Sequence, residues 1–122
     1  MKFLWTTIHV KDLDASVAFY GDVLELKVLQ RFPAGPGREI VFLGNGVEGE
    51  TTVELIRDAG SGTAAYPDSI SLGFAVPSVD AMLDSVRARG IAVQGEPVET
   101  PKFKFFTIRD PDGVCVQLFQ YK

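Results

Sequence analysis

The chain has 122 residues, of which 46% are hydrophobic and 23% charged, and its 12 basic and 16 acidic side chains leave a formal net charge of −4. This apolar fraction excludes a disordered chain, and no apolar run approaches the roughly 18–20 residues of a membrane helix. One Cys and one His exclude an intramolecular disulfide and any centre built on two histidines, and without a basic cluster no nucleic-acid partner is expected. The length suits a single domain, and the lone cysteine with no signal-peptide pattern leads to an expected cytoplasmic location.

Residues 2–10 are rich in β-branched and aromatic side chains and read as a strand. From Asp12, a plausible N-cap, the period changes: Leu13, Val17, Tyr20 and Leu24 fall on one helical face. Leu26–Phe32 reads as a strand, followed by a loop from Pro33 to Gly37. Glu39–Leu43 and Thr51–Arg57 read as strands joined through Gly44-Asn45-Gly46. A small-residue linker covers 59–68, and its glycines lack the Gly-Lys-Ser/Thr ending of a phosphate loop. Ser69–Val76 is the next strand, and Ser78 caps a helix with Val79, Met82, Leu83 and Val86 on one face, closed at Gly90. Ile91–Val93 and Phe103–Ile108 follow as strands; Asp110-Pro111-Asp112-Gly113 turns the chain into a last strand, Val114–Gln120.

Both halves therefore read β-α-β-β-β. Val10–Ala15 aligns with Val76–Ala81 at an offset of 66, and Val53–Ile56 with Val116–Phe119 at an offset of 63. The expected architecture is an α+β fold of two tandem βαβββ units, 1–58 and 69–122, forming one domain. Its mixed sheet should curl around a cleft with the helices outside. Duplication makes Trp5 equivalent to Ser71, His9 to Ala75, and Glu54 to Gln117. Strand alternation makes Trp5, Thr7 and His9 share a face of their strand, as it does Thr52, Glu54 and Ile56, while Cys115, Gln117 and Phe119 share another. Glu54 and Gln117 each sit between apolar neighbours, so water, a partner or a ligand must satisfy them. An ion pair of Glu54 with Arg57 or Arg38 is the plain alternative to a ligand. Cys115, between two valines, reads as an inert apolar side chain.

The opening His9-Val10-Lys11-Asp12-Leu13-Asp14-Ala15-Ser16, with Phe19-Tyr20, and the closing Asp110-Pro111-Asp112-Gly113 resemble the vicinal oxygen chelate superfamily. That superfamily includes glyoxalase I, bleomycin-resistance proteins and extradiol dioxygenases, and the resemblance spans the whole chain. Glu25 departs from it, standing where relatives commonly have Gly after the first helix. The resemblance implies four metal-ligand positions, here Trp5, Glu54, Ser71 and Gln117. Of these only Glu54 is a strong ligand type, so a degenerate metal site is expected, with no cofactor; a weakly held divalent metal is the alternative. Glutathione-using relatives place a basic residue near the position of His9 and an amide near that of Asp58, so lactoylglutathione lyase activity is not expected here. An extradiol dioxygenase is excluded by the histidine count.

The function expected on this basis is bleomycin-resistance-like binding of a small organic molecule in an aromatic-lined cleft. Trp5, His9, Glu54, Ser71 and Gln117 would contact the ligand; Phe32, Phe42, Phe103, Phe105 and Phe106 are candidates to extend an apolar wall, with most of these phenylalanines expected in the core. The alternative is a lyase or isomerase of the glyoxalase type with Glu54 as general base. By resemblance the protein is expected to be a homodimer, with no membrane partner.

Overall fold

In the computed structural model, which describes residues 1–60 and 65–122, the chain divides into two compact units at Ala64/Ala65. Part of the expected linker, 61–64, lies outside the described residues. The first unit runs β1 (Trp5–His9), α1 (Leu13–Asp22), β2 (Lys27–Pro33), β3 (Arg38–Gly44) and β4 (Thr52–Asp58). The second runs β5 (Ser71–Ala75), α2 (Val79–Ala88), β6 (Gln94–Glu99), β7 (Phe103–Arg109) and β8 (Cys115–Tyr121). Each unit has one four-stranded mixed, open sheet, ordered β1-β4-β3-β2 and β5-β8-β7-β6. The first strand runs parallel to the last, while the remaining neighbours are antiparallel. The α+β reading of two βαβββ units is therefore correct.

The duplication reaches the level of hydrogen-bond register. Thr7 stands opposite Glu54, and Gly73 opposite Gln117, so the offsets of 66 and 63 read from the sequence carry over to the strand pairing. Both helices start the same way. The side chains of Asp12 and Ser78 accept hydrogen bonds from Ala15 N and Ala81 N, each at 3.1 Å.

One face of each sheet carries the helix. In the first unit Ile8, Leu55 and Val41 form one buried row and Val53 with Leu43 another, beneath the buried Leu13 and Tyr20 of α1. In the second, Phe106, Leu118, Ile108 and Val116 are buried on the side of α2, where Gln120 Oε1 accepts from Val79 N at 2.8 Å. Burying each such aliphatic or aromatic side chain stabilises the unit by about 1.5–3 kcal/mol.

Two sequence readings need correction. The strand expected over Ile91–Val93 lies instead at Gln94–Glu99. Ile91 N donates to Val86 O at 2.9 Å, tying the start of this stretch back to the end of α2, and pairing in the sheet begins only at Gln94. Pro97 disguised the true strand, but β6 is a sheet edge where proline is tolerated, and its register shifts between Gln94 and Val98. Phe106 does not extend an open apolar wall; it is only 1% exposed and belongs to the helix-side core.

Candidate functional site

The faces opposite the helices hold the candidate residues. In the first unit, alternation and register place Trp5, Thr7 and His9 of β1 beside Thr52, Glu54, Ile56 and Asp58 of β4, with Ile40 and Phe42 of β3 next in the rows. Trp5 is 45% exposed, and its ring meets Phe42 edge-on at 5.4 Å; Phe42 in turn stacks on Phe32 at 6.3 Å. Glu54 is buried to 9% exposure, and Thr7 Oγ1 donates to its Oε1 at 2.5 Å. The ion pair with Arg57 or Arg38 allowed by the sequence is not formed. Arg38 instead grips Asp58, its Nε donating at 2.6 Å and its Nη2 at 3.3 Å.

This grip organises the far end of the same face. His9 Nδ1 lies 3.6 Å from Asp58 Oδ2. The hydrogen bonds from Arg38 hold the Asp58 carboxyl below its ordinary range, with the charges of Arg38 and His9 acting in the same direction against desolvation. The set Arg38–Asp58–His9 was not found in the sequence, because its members come from three strands and meet only once the register is known. On the helix-bearing side, a recess of about 350 Å³ includes Lys11, Arg31 and Arg57. Arg31 there is bonded to Glu39 and Asp14, as expected for a solvated charge network rather than a site.

In the second unit the corresponding face carries Ser71, Gly73 and Ala75 of β5 beside Cys115, Gln117 and Phe119 of β8. Phe103, Phe105 and Phe119 stack at 5.3–6.0 Å, and Tyr121 meets Phe119 edge-on at 4.8 Å. A hollow of about 270 Å³ opens here, lined by Gly73, Phe74, Ala75, Gln117, Phe119 and Tyr121. Ser71 is exposed and lies opposite Cys115, which is buried. Arg109 reaches Gly113 O at 3.1 Å, Cys115 Sγ at 3.6 Å and Asp68 Oδ1 at 2.8 Å.

The four positions implied for a metal can be tested on their chemistry. Trp5 offers no lone pair, Ser71 a weak neutral hydroxyl, Gln117 a neutral carbonyl, and Glu54 a carboxylate with one oxygen already engaged by Thr7. Among the described residues no three His, Cys, Asp or Glu side chains are grouped to hold a metal ion. By their donor chemistry these residues do not fit a divalent metal.

Residues 2–118 match the model of the Glyoxalase/Bleomycin resistance protein/Dioxygenase superfamily, and the chain belongs to that family. It is 32% identical to a lactoylglutathione lyase of Haemophilus influenzae, over 100% of this chain and 94% of that protein. Among solved structures it is similar to the trypanothione-dependent glyoxalase I of Leishmania major, with a TM-score of 0.84, 28% identity, and coverage of 98% of this chain and 86% of that one. An antibiotic-binding protein from Streptomyces shares the fold at a TM-score of 0.75 and 24% identity, covering 100% of this chain and 97% of that one. No helix among the described residues is long and apolar enough to cross a membrane.

Proposed function

We propose that this family member binds a small organic molecule on its helix-free faces without using a resident divalent metal. The observation that carries the reading is the state of Glu54. It is the one strong ligand type among the four positions, and it is already tied to Thr7 while Trp, Ser and Gln hold the others. Exposed aromatic surface at Trp5 and Tyr121, beside a few polar groups, is the usual make-up of a small-molecule site. An acidic glutathione conjugate is disfavoured, because Asp58 is held ionised beside His9 and occupies the guanidinium of Arg38. The reading includes a homodimer, for which the free edges of both sheets give a physical motive.

A second reading follows from the burial of Glu54 on an open face and from the lyase names of the relatives: proton abstraction by Glu54 in a lyase or isomerase reaction. One experiment separates the two. The purified chain is incubated with zinc or nickel, desalted and analysed for metal, then screened by thermal shift against uncharged and anionic small molecules. Sub-stoichiometric metal together with melting shifts from organic ligands supports binding without metal. Stoichiometric metal, or turnover of a hemithioacetal that is lost in Glu54→Gln, overturns it.

A further inference from the structure

The row Thr7–Glu54–Phe42 in the first unit satisfies itself, since the threonine hydroxyl bonds the carboxylate. The equivalent row in the second unit is Gly73–Gln117–Thr107, and there the polar group is left open. Gln117 makes no side-chain hydrogen bond to any described residue, yet it is half-buried beside the 270 Å³ hollow. Gly73 has neither of the usual reasons to be glycine. Its φ is not in the left-handed region, and a Cβ placed on it would meet no atom within 4 Å. What the missing side chain provides is space above the strand, directly beside the free amide. Ala75, where the first unit has His9, extends the same bare floor, and Phe119 and Tyr121 form an aromatic wall.

We infer that this hollow takes an uncharged planar ring system of one or two rings carrying a lactam or amide edge. The inference rests on the small-molecule-binding reading and adds the ligand class and its place on the second unit. The volume lies just below that of sites for drug-sized molecules, so it suits a bicyclic group rather than a long conjugate. No charged side chain lines it, so an ionised group entering would lose water without gaining a partner. The Gln117 amide is at once donor and acceptor: its Nε2 donates to a ring carbonyl while its Oε1 accepts from the adjacent ring N–H. The ring lies over Gly73 and Ala75, with Phe119 and Tyr121 supplying aromatic contact.

The test uses the full chain and isoquinolin-1(2H)-one as a bicyclic lactam probe, with isoquinoline lacking the amide edge and 2-naphthoate as an anion. Backbone amide shifts are followed by NMR during millimolar titrations. The expected result is saturable shifts at Gly73, Ala75, Gln117 and Phe119, with isoquinoline, which can accept one hydrogen bond but donate none, about five- to tenfold weaker. Naphthoate should leave these residues unmoved. Gly73→Val should fold, because its Cβ meets nothing, and should abolish the shifts by filling the floor. Gln117→Leu should bind both neutral rings equally, a readout that stands even if Gly73→Val misfolds. Shifts centred on Trp5 and Phe42, binding indifferent to either substitution, or no saturable shift with the lactam would each overturn the inference. Ligands found by thermal shift that bind elsewhere would leave the broader reading standing, whereas stoichiometric metal would overturn that reading alone.

Discussion

On the helix side, the row Ile8–Leu55–Val41 of the first unit corresponds to Phe74–Leu118–Phe106 of the second, and every member of both rows is apolar. On the open side the same correspondence pairs unlike residues. The charged end of the first unit, His9, Asp58 and Arg38, becomes Ala75, Tyr121 and Phe103, while the aromatic end, Trp5 and Phe42, becomes Ser71 and Thr107. The gradient from aromatic to polar thus runs in opposite directions along the two open faces. Packing keeps these rows apolar in both units, because a polar group at their positions would be buried without a partner. The open side is free of that constraint and has diverged between the two units.

The sharpest way to break this comparison is to truncate neighbouring aromatics on opposite faces of β7. Phe106→Ala should cost about 3–5 kcal/mol, because it empties a fully buried position. Phe105→Ala, on the partly exposed stack, should cost about half as much or less, since solvent already reaches it and nearby rings can close in. Urea unfolding measures both, and equal losses would show that the open stack is core. The next effect is at Glu54. Thr7→Val removes the hydroxyl that bonds its carboxylate and should destabilise by about 1–2 kcal/mol, the cost of a poorly satisfied buried polar group. The reciprocal Gly73→Thr should be close to neutral in the same assay, because its Cβ enters open space.

A smaller asymmetry lies where each helix ends, and it also marks the limit of what the sequence reveals. Glu25 and Gly90 both turn the chain left-handed, at φ +59° and +73°. Gly90 announces its conformation as a helix stop; Glu25 differs from a family pattern, and nothing in its chemistry signals a positive φ. Glu25→Gly should therefore stabilise the protein by about 0.5–1 kcal/mol, and Gly90→Ala should destabilise it by about as much. A thermal melt that fell for Glu25→Gly would mean that the glutamate side chain makes a compensating interaction. The capped helices, the turn at Asp110–Gly113 and the alternation of β1, β4 and β8 were legible for the same reason as Gly90: local residues dictate them. β6 was hidden because an edge strand can hold Gly95 and Pro97, which read as breakers. The Arg38–Asp58–His9 set and the stack around Phe119 depend on register between strands, which no local window contains. The offsets of 66 and 63, applied along β1 and β4, already pair Thr7 with Gly73, Trp5 with Ser71, His9 with Ala75 and Asp58 with Tyr121; the β3 equivalents need the register of the sheet.

The smallest expected effect concerns pH and the charged end of the first unit, which the second unit replaces with aromatic groups. Arg38 holds the Asp58 carboxyl below its usual range near 4. Across the interval between the lowered and the ordinary value, the unfolded chain binds the proton and the folded chain does not. The stability contributed by this pair is therefore complete above the ordinary carboxylate value and disappears as pH falls through the lowered one. Arg38→Gln removes the hydrogen bonds that cause the shift, so the Asp58 carboxyl carbon should titrate at a higher pH, and this part of the acid loss should narrow. Asp68, held low by Arg109, and Glu99, held low by Lys122, are built from second-unit partners and should titrate unchanged. Carboxyl-carbon NMR titrations of the two proteins make the comparison site by site. An Asp58 midpoint unmoved by Arg38→Gln would show that Arg38 does not set the charge at this end, and His9 would then be the group to vary next.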